Sequence, residues 1–239
     1  MIINYDFTVN AIAILTGILA WSVIGFFAYR IYKKQMVKPK VWKILIVLFV
    51  GLFSFSINWA MFDTIFKLPI LPLGVWILYF VLKGKEERWQ TYRSFAWLGF
   101  LANFIFLLLT LVSIPVHHAL YPKNEPSTFI SNVENASIIT IHPSAKERSL
   151  NKESLMKQLQ ALRQETIYSD QWYTETYMNA ESTIRNERFP YQLIDTKAKW
   201  GSGLNTIIYI EDDGKGILIS TPKNQLYFRS EDSVIKVVE

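Results

Sequence analysis

Apolar residues are not spread evenly along this chain: they gather into long blocks before Val116 and break into short, turn-punctuated runs after it. Ala11–Tyr29 carries no charge and matches the roughly 20 residues a bilayer-crossing helix needs. Ile44–Ala60 is interrupted only by Ser54, Ser56 and Asn58. Leu68–Leu82 is shorter, with Pro69 and Pro72 near its start, and Ser94–Val116 runs through a block from Phe104 to Val112 that only Thr110 breaks. A helix on a soluble core shows one apolar stripe, whereas these runs are apolar all round. The pattern predicts four transmembrane helices, over 11–29, 44–60, 68–82 and 94–116, forming an all-α membrane bundle within residues 1–116. The proline-containing third run could instead be re-entrant or tilted. The N-terminal run has no basic leader and no small-x-small cleavage site, so it is expected to remain as an anchor.

The second half reads differently. Residues 117–127 (HHALYPKNEP and the residue after it) are expected to be a linker, and 128–239 an extracytoplasmic α+β domain. Ala136–His142 is short and β-branched, hence a strand. Asn151 is placed to cap a helix running to about Glu165, with Leu155, Leu159 and Leu162 on one stripe. Gln171–Met178 holds strand-forming residues, and Phe189–Ile194 is a weaker strand whose Pro190 assigns it to an edge. Thr206–Glu211, Gly216–Thr221 and Gln225–Arg229, separated by turns at Asp212–Lys215 and Pro222–Asn224, form an antiparallel meander. The expected domain is one main helix packed on an antiparallel sheet.

Charge turns this division into a topology. Up to Pro115 there are eleven basic residues and only four acids (Asp6, Asp63, Glu86 and Glu87), while beyond it fourteen basic residues face sixteen acids. A pI near 9.2 therefore reflects short basic connections, not a nucleic-acid surface, and nucleic-acid binding is not expected. Arg30, Lys33, Lys34, Lys38, Lys40 and Lys43 crowd the first connection; Lys83, Lys85, Arg88 and Arg93 crowd the third. The positive-inside rule puts both in the cytoplasm, with the N-terminus and the C-terminal domain outside the plasma membrane. Trp42, Trp59, Trp76, Trp89, Trp97, Tyr29, Tyr32 and Tyr92 lie mostly near run ends, as interface aromatics do. The chain has no cysteine, which removes disulfides, thiolate catalysis and Cys-ligated metals, and suits an exported domain of a bacterial envelope.

Few residues stand out chemically. The three histidines, His117, His118 and His142, lack the spacing and supporting carboxylates of a metal site. Trp200-Gly201-Ser202-Gly203 has its glycines too close to the serine for a nucleophile elbow, and a strand follows where that motif requires a helix. Glu211-Asp212-Asp213-Gly214 reads as a hairpin turn, since the glycine comes too early for a calcium loop. Asn58, Asn103, Asp63 and Lys67 are the only candidates for a polar membrane pathway, and the two amides read more simply as helix-joining groups. Glu175, set among Trp172, Tyr173 and Tyr177, marks an aromatic surface that could hold a peptide or glycan. No catalytic residues, cofactor or metal are expected. The expected function is a multi-pass membrane protein whose extracytoplasmic domain binds or senses, acting in regulation or assembly at the cell envelope. Its partners would be the lipid bilayer and another envelope protein or peptide, with Trp172, Tyr173, Glu175 and Tyr177 as the partner-binding residues. The alternatives are a small transporter or channel subunit, an envelope enzyme using Glu175, and an immunity or resistance protein against an extracellular peptide.

Overall fold

The computed structural model describes residues 8–61, 64–84, 86–175 and 186–237 and divides into two compact units, 12–117 and a second made of 1–11 with 118–239. In the first unit, α1 (Ala11–Lys34) and α4 (Glu86–Leu120) are long, and both are apolar enough to cross a membrane. Trp21 of α1 meets Phe106 of α4 with ring centroids 5.5 Å apart. Most of α1 presents large apolar side chains outward: Ile14, Leu15, Ile18, Leu19 and Phe26 are all exposed. Soluble monomers rarely expose so continuous an apolar patch.

The second and third predicted spans are corrected. Helix α2 covers only Val41–Gly51 and α3 only Leu73–Leu82, and between them the chain forms an antiparallel hairpin, β1 (Phe55–Met61) with β2 (Thr64–Leu71). Eleven helical residues rise about 16 Å, roughly half a hydrocarbon core of about 30 Å. The reason lies in the residue alternation. Ile57 pairs with Leu68 and Trp59 with Phe66 on one face of the ribbon, while Ser56 pairs with Pro69 and Asn58 with Lys67 on the other. Such a period of two sorts a strand into two faces but spirals round a helix. Helix α2 runs backbone to backbone against α4: a Cβ on Gly99 would sit 2.4 Å from the Leu48 carbonyl oxygen, and one on Gly51 2.4 Å from that of Ala96. The Asn103 amide donates to the Leu52 carbonyl at 3.1 Å, closing the C-terminal end of α2.

The second unit is an α+β domain. Its six-stranded antiparallel sheet has the order β3 (Ser137–Thr140), β6 (Tyr191–Ile194), β7 (Ile207–Ile210), β8 (Gly216–Ser220), β9 (Gln225–Arg229) and β5 (Arg163–Glu165). A separate pair joins β4 (Arg148–Leu150) to β10 (Ile235–Val237). Tyr191, Leu193, Ile208, Ile210, Ile217, Ile219 and Phe228 line one sheet face and form the core with Leu155, Leu159 and Leu162. Helix α5 (Lys152–Gln158) begins where expected, with the Asn151 side chain accepting from the Ser154 N–H, but stops early. The N–H groups of Ala161 and Leu162 both turn back to the Gln158 carbonyl, and the next three residues pair with β9 as β5. Sheet pairing overrides a helix-forming stretch here.

Two further expectations change. The region read as a strand over 171–178 is helical as far as Glu175, with α6 covering Ser169–Tyr173, and residues 176–178 lie outside the described residues, as does Asp63. Strand β6 is internal, not an edge: Pro190 precedes it, and its carbonyl still accepts from the Ile141 N–H. The missing proline N–H is thus not required by the ladder. Helix α4 continues through His117 and His118 to Leu120, into the stretch read as linker.

Candidate functional site

The face of the sheet opposite the core carries the polar chemistry. With Ile208, Ile210 and Phe228 committed to the core, alternation turns Glu211, Tyr227 and Arg229 to the other side. There Glu211, its side chain only 8% exposed, is held between two arginines: Oε1 lies 2.7 Å from Arg188 Nη2 and Oε2 2.5 Å from Arg229 Nη1. The Tyr227 hydroxyl donates to Oε2 at 2.6 Å and accepts from Arg229 at 2.9 Å. Gly216 opposite Arg229 makes room, since a Cβ there would fall 1.8 Å from Glu211 Oε2. Arg229 also pairs with Asp213 in the β7–β8 turn.

An aromatic lid covers this network. Trp172 packs on Tyr227 (centroids 5.0 Å apart, nearly perpendicular) and on Phe189 at 5.5 Å. The Arg188 guanidinium sits over the Trp172 ring, 4.4 Å from its centroid, and reaches Glu175 at 3.1 Å. Burial raises the pKa of Tyr227, and its hydrogen bond to Glu211 raises it further. Arg229 stays charged: burial opposes its charge, but Tyr227, Glu211 and Asp213 outweigh that and push its pKa up. Glu211 has both oxygens occupied, by two cations and a phenol, an arrangement that ties three elements together.

Beside the lid lies an open groove of about 680 Å³, lined by Gln164, Glu165, Thr166, Ile167, Tyr168, Gln225 and Tyr227. One wall is β5, the strand that ends the sheet. Of the residues singled out in the sequence, Trp172 and Glu175 are brought together through Arg188, and Tyr173 is exposed. Tyr177 lies outside the described residues. Arg188, Glu211, Tyr227 and Arg229 were not anticipated. The available signal was the alternation of β7 and β9, which puts Glu211, Tyr227 and Arg229 on one face.

The remaining candidates resolve locally. His117 and His118 belong to the last turns of α4, and His142 Nδ1 lies 2.9 Å from Ser144 Oγ. Among the described residues no three metal-binding side chains converge. Asp212–Lys215 is a tight turn, with Gly214 at φ 73° and the Lys215 N–H bonded to Asp213. No family model, curated protein or solved structure matches the chain.

Proposed function

We propose that this chain is a multi-pass membrane protein whose C-terminal domain binds a protein or peptide at the outer face of the plasma membrane, as a regulatory or assembly factor of the cell envelope. The observation that carries the reading is the groove beside the Trp172–Tyr227 lid. Amides (Gln164, Gln225), a carboxylate (Glu165) and two phenols (Tyr168, Tyr227) line it next to a sheet-ending strand. Extended peptides are recognised by such edges through main-chain hydrogen bonds and side-chain contacts.

Topology is supported by two independent features. Ala11 opens α1 and Leu120 closes α4, and both bond the same turn of the C-terminal domain: the Ala11 N–H donates to Gly201 and Lys199 Nζ to the Leu120 carbonyl. These bonds favour both ends on one side, and with it an even number of crossings between them. The basic connections around 30–43 and 83–93 favour the cytoplasm, which puts the domain outside. In this reading α1 and α4 cross fully, while the half-length pair α2 and α3 enters from the cytoplasmic side. The alternative of a small transporter or channel subunit has less behind it, because the Asn103 amide is occupied by the Leu52 and Phe100 carbonyls.

The test is site-specific photocrosslinking in intact cells, with the photoreactive residue at Gln164 or Gln225. A discrete adduct at these positions, lost on adding Tyr168→Ala and absent with the probe at exposed Glu153, supports the reading. Correctly inserted protein that gives no adduct from the groove, together with a domain deletion that leaves cells unaffected, refutes it.

A further inference from the structure

Trp200 is the most exposed tryptophan among the described residues, at 80% of its full surface, yet its backbone is among the most firmly fastened. The Tyr121 hydroxyl donates to its carbonyl at 3.0 Å, the Ala11 N–H donates to the Gly201 carbonyl at 2.9 Å, and Lys199 Nζ donates to Leu120 at 3.0 Å. Asn10 bridges to Ser202, and the Ser202 N–H returns to the Lys199 carbonyl, closing a turn with Trp200 inside it. Gly201 holds φ 77°, and a Cβ there would lie 2.8 Å from both the Ala11 Cβ and the Tyr121 hydroxyl. The turn is therefore pressed against the first residue of α1 and the residues just past the end of α4. A large apolar ring left this exposed on so constrained a turn contributes little apolar burial to the fold.

We propose that Trp200 is a membrane-interface anchor, which seats the C-terminal domain on the headgroup layer of the bilayer that α1 and α4 enter. The inference rests on the membrane reading above. Ala11 and Leu120, at the outer ends of the candidate spans, are residues to which this turn is bonded. Tryptophan concentrates at the headgroup layer because its ring is apolar and its indole N–H remains hydrogen-bonded to water or headgroups. Exposed Lys197 and Lys199 lie in and beside the turn and suit an anionic surface, with Asp195 and Glu125 the acids nearby in sequence.

The chain has no cysteine, so single-cysteine variants carry an environment-sensitive fluorophore without background. The full-length protein is reconstituted in vesicles of phosphatidylcholine and phosphatidylglycerol, labelled in turn at Trp200→Cys, at Ile18→Cys in α1 and at Glu153→Cys on the domain surface. Quenching is compared between nitroxides on the headgroup, nitroxides deep in the acyl chain, and aqueous iodide. The expected result at 200 is headgroup quenching several-fold above that at 153 and above acyl-chain quenching at the same site, with label 18 quenched from the chain. If label 200 matches 153 while label 18 is deep, the anchor is refuted and the membrane reading survives. If label 18 is also open to iodide, the membrane reading fails and takes the anchor with it. A label at 200 shielded from both lipid and iodide means that protein covers the turn, which also overturns the proposal.

Discussion

Replacing Gly216 by alanine sets two effects of opposite sign against each other. In a strand interior, glycine is worse than alanine by about 0.5–1 kcal/mol because it loses more backbone freedom on folding. The added methyl, however, would lie 1.8 Å from Glu211 Oε2 and 2.9 Å from Tyr227 Cε2. The carboxylate must swing away, and in doing so it leaves Arg188, Arg229 and the Tyr227 hydroxyl. Removing one partner from a fully buried ion pair costs roughly 3–5 kcal/mol. Here Arg188 and Arg229 keep 26% and 31% of their side-chain surface in water, which offsets part of that cost. Allowing for that solvation and for the backbone gain, the net destabilisation expected is about 2–3 kcal/mol. In hydrogen exchange of the full-length protein, peptides from β7 to β9 should then exchange roughly 30- to 150-fold faster. In the double variant with Glu211→Ala, the added cost of Gly216→Ala should fall well below its cost alone, because the carboxylate is gone and only the approach to Tyr227 remains. Unchanged or slower exchange in Gly216→Ala would refute the argument, since it would mean the carboxylate moves at no cost and the network holds nothing.

Two further outcomes follow from the same contacts. Because burial, and then the bond to Glu211, raises the Tyr227 pKa above its ordinary value of 10.0, the folded state favours the neutral phenol. That contribution is complete below the unfolded-state pKa and is lost as pH rises through the folded one, so Tyr227→Phe should flatten the fall in melting temperature above pH ~10. It should not abolish the fall, since burial raises Tyr191 as well; identical slopes in both proteins would show that Tyr227 does not titrate in this way. Asn103→Leu removes one bond between helices and should destabilise the detergent-solubilised protein by about 0.5–1.5 kcal/mol in reversible unfolding. A cost above about 3 kcal/mol would mean that Asn103 does more than close the end of α2.

The apolar half was legible wherever length alone decides. Nineteen uncharged residues from Ala11 to Tyr29 leave little choice but a helix apolar on every side, and α1 covers them all. Length failed at 44–60, where Ser54, Ser56 and Asn58 pass for interruptions in a helix. Their spacing is two, and within the ribbon Ser56 and Asn58 share one face while Ile57 and Trp59 share the other. A short period-two signal embedded in a long apolar block is masked by the block's own hydrophobicity, which fits either structure equally. In the C-terminal half the meander was legible because Asp-Gly and Pro-Lys-Asn turns fix where each strand must stop. Residues 163–165 were not, since nothing in Arg-Gln-Glu favours a strand except the partner β9 supplies.

The site was half hidden for a related reason. Trp172 and Glu175 drew attention through their own composition, as aromatics around an acid, and composition is local. What makes them a site is Arg188, thirteen residues after Glu175 in sequence, lying over the Trp172 ring and bonded to both Glu175 and Glu211. A buried carboxylate at the end of β7 is improbable on sequence grounds, because burial of a lone Glu is too costly. It becomes reasonable only when two arginines and a phenol arrive from β9 and from the segment before β6. The alternation of β7 and β9 already sends Glu211, Tyr227 and Arg229 to one side; the missing premise was that this second face is covered. In a three-stranded meander with one obvious core face, the default is to leave the other face to water. The presence there of a tyrosine two residues from an arginine, across the sheet from a glutamate, is the pattern that argues for a covered face, and a period-two reading of the sequence suffices to find it.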